Sequence, residues 1–245
     1  MTRLLNADLN RVLKSKGFWI STVLMVGMIV AFVYMAVTNI GTNPADFLDN
    51  CKTGMTTMGM TWIILTTVFT MFNHDLKSRV HQAAVGNGIS RMTVTLTKFT
   101  EALILGAINF ALLGGALCVT SMVAGVALSG AQMQSLLMMA FGAWIGTAPI
   151  LALVFVPVFA IGNLTAAALI GVLVSLGLAN QIVSLIGGAV NVNLSAYGIV
   201  ANLNSFMESL TSGPFNVQSL MFLMGWAAAG LAAAVFFYKK KELEF

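Results

Sequence analysis

Six apolar runs, each long enough to cross a hydrocarbon core, divide this chain and leave few folds open to it. They lie near Phe18–Thr38, Met55–Phe72, Phe99–Leu128, Met133–Ala160, Leu164–Ala189 and Val217–Tyr238. A bilayer core about 30 Å thick needs roughly 20 residues of helix. Of the 245 residues, 58% are hydrophobic and 8% charged, against about 25% charged in a soluble domain. A chain this poor in charge cannot cover a water-facing surface; its mean hydropathy is +0.92. The expected fold is an all-α integral membrane protein, with six transmembrane helices in a single domain over residues 1–245. The third and fourth runs exceed what a span requires, so tilting, kinking or projection beyond the core is expected.

The positive charges give an orientation. Arg3, Arg11, Lys14 and Lys16 precede the first run; Lys77, Arg79, Arg91 and Lys98 lie between the second and third; Lys239, Lys240 and Lys241 follow the sixth. Six crossings place all eleven on one side, leaving only Lys52 opposite, beside Asp46 and Asp49. Basic loops stay cytoplasmic, so both termini are expected in the cytoplasm of a multi-pass protein in a bacterial-type plasma membrane. The net charge of +4 is thus a topology signal and gives no reason to expect nucleic acid. The first run continues for a full span without a small-residue cleavage site, unlike a secretory signal. Cys51, expected in an outer loop, and Cys118, within the third span, differ in depth, which argues against a disulfide between them.

Residues 1–16 place Leu4, Leu5, Leu9, Val12 and Leu13 on one helical side and Arg3, Asn6, Asn10, Arg11 and Lys14 on the other. This pattern fits a helix lying in the membrane interface, its basic side toward lipid phosphates, although Asp8 falls on the apolar side. A basic flank that only sets orientation is the plainer alternative. Asn39–Gly54, with Gly41 and Pro44, reads as an outer turn. The following MTTMGM holds Met55, Met58 and Met60; thioethers suit Cu(I), but methionine is also a flexible packing residue. In the fourth run, Gly142 and Gly146 allow close helix approach, and Pro149 and Pro157 predict kinks. Gly162-Asn163 reads as a tight turn. Tyr197, Val200, Leu203, Phe206 or Met207, and Leu210 recur at helical spacing. A seventh crossing there would put the terminal lysines outside, so an outer interfacial or partly re-entrant helix is expected, ended by Thr211-Ser212-Gly213-Pro214.

The most polar stretch between two runs is His74–Lys98, HDLKSRVHQAAVGNGISRMTVTLTK. An island of this kind is where something outside the membrane makes contact. Glu101, one turn after Lys98, is a carboxylate inside a membrane segment, which is a functional hypothesis by default. An ion pair between Lys98 and Glu101 at i, i+3 spacing is the structural reading; a substrate or proton site is the other. No GxxxxGK[ST] phosphate loop, HExxH, CxxC or GxSxG occurs, so catalysis and ATP hydrolysis by this chain are not expected. His74 and His81, two helical turns apart, are too far separated for an ordinary shared metal site. A gradient-driven carrier needs buried ionisable or broken-helix sites near mid-membrane, and the runs offer only Glu101, near an end.

These residues resemble the membrane subunits of ABC transporters of the type 2, export-type permease class, over nearly the whole chain. The resemblance comprises the LLNADLNRVLKSKGFWI entry, six spans, the YKKKELEF ending and, most specifically, the island. Such permeases carry an acidic residue after span two, a short helix, a glycine-containing turn, and a Ser-Arg pair leading to a lysine. Here these fall on Asp75, Lys77 to Val85, Gly86-Asn87-Gly88-Ile89, Ser90-Arg91 and Lys98. Aspartate stands where glutamate is more usual, which shortens the reach of any contact. The resemblance implies an export permease powered by a separate ATP-binding cassette subunit that binds ATP and Mg, this chain holding no cofactor. It also implies pairing with a second copy or a related permease. His74, Asp75, Lys77, Arg79, Gly86, Asn87, Gly88, Ser90, Arg91 and Lys98 would then form a coupling helix against the ATPase. The helix bearing Arg3, Arg11, Lys14 and Lys16 would brace it against lipid, and the outer helix with Tyr197, Leu203 and Phe206 would help close the far side. A peptide (including antibiotic or bacteriocin removal as immunity), a drug or a lipid-like molecule would be the cargo. The rival classes are a non-transporting scaffold or immunity protein and an ion-gradient carrier.

Overall fold

Where no water reaches the backbone, a helix satisfies each peptide group within its own segment, and the apolar runs fold accordingly. The structure, a computed structural model, describes residues 2–72, 75–76, 80–189, 195–211 and 213–241. The short helix α1 (Thr2–Leu13) is followed by α2 (Lys16–Ile40) and α3 (Pro44–Phe72). The short helix α4 (Val80–Gly86) leads to α5 (Arg91–Val123) and α6 (Gly130–Ile161). Two shorter helices, α7 (Leu164–Ser175) and α8 (Leu178–Ala189), precede α9 (Ile199–Thr211) and α10 (Val217–Lys240). No strand occurs among the described residues. Among the described residues five helices, α2, α3, α5, α6 and α10, are long and apolar enough to cross a membrane; the chain has the architecture of a helical multi-pass membrane protein.

Two expectations change. The stretch Asn39–Gly54 is mostly helix, because Asn43 caps α3 by accepting from the Ala45 amide at 3.1 Å and Pro44 occupies the first turn. A proline there costs nothing, since its missing N–H would have no intrahelical partner. Phe47 and Cys51 are consequently buried within α3. The fifth run, expected as one span over Leu164–Ala189, is interrupted at Leu176-Gly177, where Gly177 adopts φ 78°. That conformation suits glycine, and it divides the run into two 12-residue helices, each about 18 Å long at 1.5 Å per residue. By contrast α6 runs unbroken through Pro149 and Pro157.

Helix α6 is the central strut, with α5, α7, α9 and α10 packed on it. Its contacts are close because its partners meet it at glycines. A methyl on Gly230 of α10 would lie 2.9 Å from the Ala152 carbonyl carbon, so the two backbones nearly touch. At Gly146 and Gly142 of α6, added methyls would meet Leu203 at 2.5 Å and Met207 at 2.9 Å. The Gly142/Gly146 pair thus seats α9, alongside the middle of α6. Hydroxyls and amides join helices in the interior: Thr22 donates to Asn109 Oδ1 at 2.8 Å, Thr61 and Ser175 lie 2.7 Å apart, and Trp144 donates to the Leu103 carbonyl at 2.9 Å. The methionines Met55 and Met60 are buried in the core, where they serve as packing.

At the end of the bundle where α5 begins and α10 finishes, five aromatic rings lock four helices together. Phe155 of α6 meets Phe72 of α3 at 5.1 Å and Phe99 of α5 at 5.8 Å, both edge-on. Phe159 packs on Phe155 at 5.7 Å and on Tyr238 of α10 at 4.9 Å. Such pairs are each worth about 0.5–1.5 kcal/mol beyond their burial, and they make this end a stiff platform for the charged residues beside it.

Candidate functional site

On α1, Asp8 and Arg11 are three residues apart and share a face; on α5, Lys98 and Glu101 do the same. The two faces meet, and Asp75, from the segment after α3, enters between them. The Lys98 ammonium lies 2.6 Å from Asp8 Oδ2, 2.8 Å from Asp75 Oδ2 and 3.0 Å from Glu101 Oε2. One three-donor cation is therefore shared among three carboxylates from three parts of the chain. Arg11 donates to Asp75 Oδ1 and lies 4.0 Å from Asp8. Lys98 is 1% exposed, and Asp75 and Glu101 are fully buried. Leu9 and Val12 of α1 pack beside the cluster, so α1 docks by apolar contact and ion pairing together.

The electrostatics follow from burial and neighbours. Burial pushes the Asp75 carboxyl up, but the Arg11 hydrogen bond and the Lys98 charge push harder the other way, holding it below its ordinary value. The same hydrogen bond with Asp75 outweighs desolvation at Arg11 and raises its affinity for its proton. Both groups are charged at neutral pH. Desolvated pairs of this sort contribute little net stability as pairs, but losing one partner costs about 3–5 kcal/mol because the other is left buried and uncompensated.

A second junction lies nearby. Ser90 caps α5, accepting from the Thr93 amide at 3.1 Å. Arg91 reaches across to the end of α10, where its Nη1 lies within donor distance of the carbonyl oxygens of Tyr238 at 2.5 Å, Lys239 at 2.9 Å and Lys241 at 2.7 Å. Its guanidinium also sits 5.5 Å from the Tyr238 ring centre. The last carbonyls of a helix have no intrahelical donors, and Arg91 supplies them along with a charge of the sign that the helix C-terminus favours. The turn before α5 is formed by Gly86, Asn87, Gly88 and Ile89, with Gly88 at φ 85°. Gly86, Asn87, Gly88 and Ser90 are exposed.

Of the residues expected to touch a partner, Asp75 and Lys98 are buried in the internal cluster, and the half-exposed Arg91 reaches the α10 carbonyls. The expected short helix Lys77 to Val85 corresponds to Val80–Gly86; His74, Lys77 and Arg79 lie outside the described residues. Arg3, Lys14 and Lys16 are exposed, but Arg11 turns inward to Asp75. Lys98 meets Glu101 at the spacing expected of them, but as one contact of three. At the other end, Leu203 and Phe206 are buried in packing, whereas Tyr197 is half-exposed and accepts from Trp226 Nε1 at 3.0 Å through its carbonyl. Sequence reasoning missed Asp8 as a cluster member, although its place on the apolar side of α1 was the signal: a misplaced charge marks a buried partner.

No family model matches the chain, and no curated protein is similar enough to it to count as a relative. The arrangement offers no evident nucleophile or metal cage; among the described residues no group of three or more His, Cys, Asp and Glu is placed to hold a metal ion. It fixes α1, the segment after α3 and α5 to one another through buried ion pairs.

Proposed function

We propose that this chain is the membrane-spanning permease subunit of an ABC-type exporter, driven by ATP that a separate subunit binds with Mg and hydrolyses. The observation that supports the reading is the buried Asp8–Arg11–Asp75–Lys98–Glu101 cluster, which ties α1 and the segment after α3 to α5, the helix that α4 and its exposed glycine turn lead into. A partner pushing on α4 would move a rigid assembly of α1, the segment after α3 and the base of α5, in place of a flexible loop. Rigid-body motion of this kind is how partner closure biases two membrane states. In this reading α7 and α8 together make the fifth of six crossings. The termini and α4 are cytoplasmic, following the basic residues, in a bacterial-type plasma membrane. The exposed basic residues Arg3, Lys14 and Lys16 rest on lipid phosphates, and α9 with Tyr197 forms the outer gate. A second copy or related permease completes the pathway. The apolar interior favours a peptide, drug or lipid-like cargo.

The docking surface is then the exposed Ala83, Gly86, Asn87 and Gly88. Co-purification with a candidate ATP-binding subunit tests it, using the native chain and an Ala83→Trp, Asn87→Trp variant. Capture by the native chain, lost in the variant at unchanged thermal stability, is the expected result. A native chain that captures no ATPase sinks the reading. Activity that survives ATP depletion but collapses with the ion gradient would favour a carrier, and function without any ATPase would favour a scaffold or immunity protein.

A further inference from the structure

Glu101 is fully buried on α5, and its two oxygens have different surroundings. Oε2 lies 3.0 Å from the Lys98 ammonium. Oε1 has no hydrogen-bond partner among the described residues. One turn earlier on the same helix face, the buried Thr97 hydroxyl is also without a partner. Lys98 also lies 2.8 Å from Asp75 Oδ2 and 2.6 Å from Asp8 Oδ2, although Asp8 Oδ2, like Glu101 Oε1, completes no hydrogen bond. An ionised Glu101 would therefore hold a bare carboxylate oxygen out of water, close to two more carboxylates. Burying an unpaired charge is far costlier than burying a neutral acid, and a buried acceptor left unmade costs about 1–3 kcal/mol.

We propose that Glu101 is a proton-binding site: at neutral pH it holds a proton on Oε1, and releasing that proton loosens α1. Protonation removes the charge from the orphan oxygen and leaves Lys98 and Arg11 to neutralise Asp8 and Asp75. The groups facing Glu101 are Asp8 and Arg11 from α1, Asp75 from the segment after α3, and Lys98 from its own helix. The proton is exchanged with water, for which the one-third-exposed Arg11 side chain marks the open edge of the cluster. When the proton leaves, three carboxylate charges face the two cations Lys98 and Arg11. Asp8, on the short helix α1, is held to Lys98 through an oxygen that completes no hydrogen bond, so its contact is the one that weakens and α1 the element loosened. This inference goes beyond the permease reading and does not depend on it.

The chain has four glutamates, Glu101, Glu208, Glu242 and Glu244, so glutamate-selective 13C labelling of the full-length protein in lipid nanodiscs resolves the question. At pH 7 one side-chain carboxyl signal is expected at the acid position and three at the carboxylate position, with the acid signal absent from Glu101→Gln. All four ionised at pH 7 in the wild-type protein would overturn the proposal, and that reading requires no variant to fold. The second readout is amide hydrogen exchange over Thr2–Leu13, corrected for intrinsic rate. Protection should fall as the acid signal titrates on raising the pH, and stay level in Glu101→Gln. Unchanged protection through that titration would overturn the coupling to α1.

Discussion

Lys98 is the residue on which the site depends. Its ammonium meets all three acidic side chains of the cluster, so Lys98→Met leaves Arg11 as the cation facing Asp8 and Asp75 and takes away the contact of Glu101 Oε2. We expect a loss of about 3–5 kcal/mol, read as a large drop in thermal stability and folded yield in detergent. Asp8→Asn, which removes only one of three acceptors, should cost less. Asp75 sets the acid limit of the assembly. Its carboxyl is held below the ordinary aspartate value, so the folded state binds its proton more weakly than the unfolded one. The stability it contributes is present above about pH 4, the ordinary aspartate range, and is lost as the pH falls further through the lowered value. An acid titration of α1 docking should show that loss in the native protein and lack it in Asp75→Asn. The two carboxyls are thus separable, with Asp75 responding to acid and the proton on Glu101 to a rise in pH.

Among elements, the contacts of α10 are the most exacting. Gly230 faces backbone atoms of α6, which cannot give way, whereas a methyl at Gly225 would meet nothing within 4 Å. Gly230→Ala should destabilise by about 1–3 kcal/mol through overpacking, and Gly225→Ala should be near neutral; thermal unfolding of the two variants side by side checks this. Gly146 is the intermediate case, because its obstacle is the Leu203 side chain, and Leu203→Ala should recover much of what Gly146→Ala loses. The other end of α10 is fastened by Arg91. Arg91→Gln removes both the charge and the Nη1 donor, and the end of α10 should fray, at a cost of about 1 kcal/mol. Limited trypsin digestion reads it, because cleavage after Lys239, Lys240 and Lys241 should be faster in the variant. Equal cleavage rates would show that Arg91 does not hold this end. Arg91→Lys keeps charge without the planar fork and should fall between.

For the whole molecule, the proposed function separates binding an ATPase from responding to it and gives the two to different residues. The exposed turn at Asn87 and Gly88 is where a partner would sit, and the buried cluster is what would carry its movement to α1 and α5. Within the reconstituted complex, Asp8→Asn should leave capture of the ATP-binding subunit intact while lowering ATPase stimulation. Loss of both together would assign the cluster to folding alone.

Much of this protein is legible without coordinates, and for a physical reason: a membrane helix satisfies its own backbone, so each apolar run announces itself. The Gly162-Asn163 turn is equally local, with Gly162 at φ 73° and Asn163 capping α7 through the Ala166 amide. The same holds for Ser90 capping α5. Loop Asn39–Gly54 misread because a cap and a proline start a helix as readily as they end one. The break at Gly177 was missed because an apolar run gives the same hydropathy whether it is straight or interrupted. Which charges meet was not local at all. Asp8, Asp75 and Lys98 are far apart in sequence, each reading as a separate interfacial or coupling charge, and Arg91 gave no sign of reaching Tyr238. The sequence by itself determined a helical membrane protein with its basic residues grouped at three points. Only the tertiary structure decided that a desolvated charge finds its opposite inside the bundle, since that pairing depends on which helix faces come together when the chain packs.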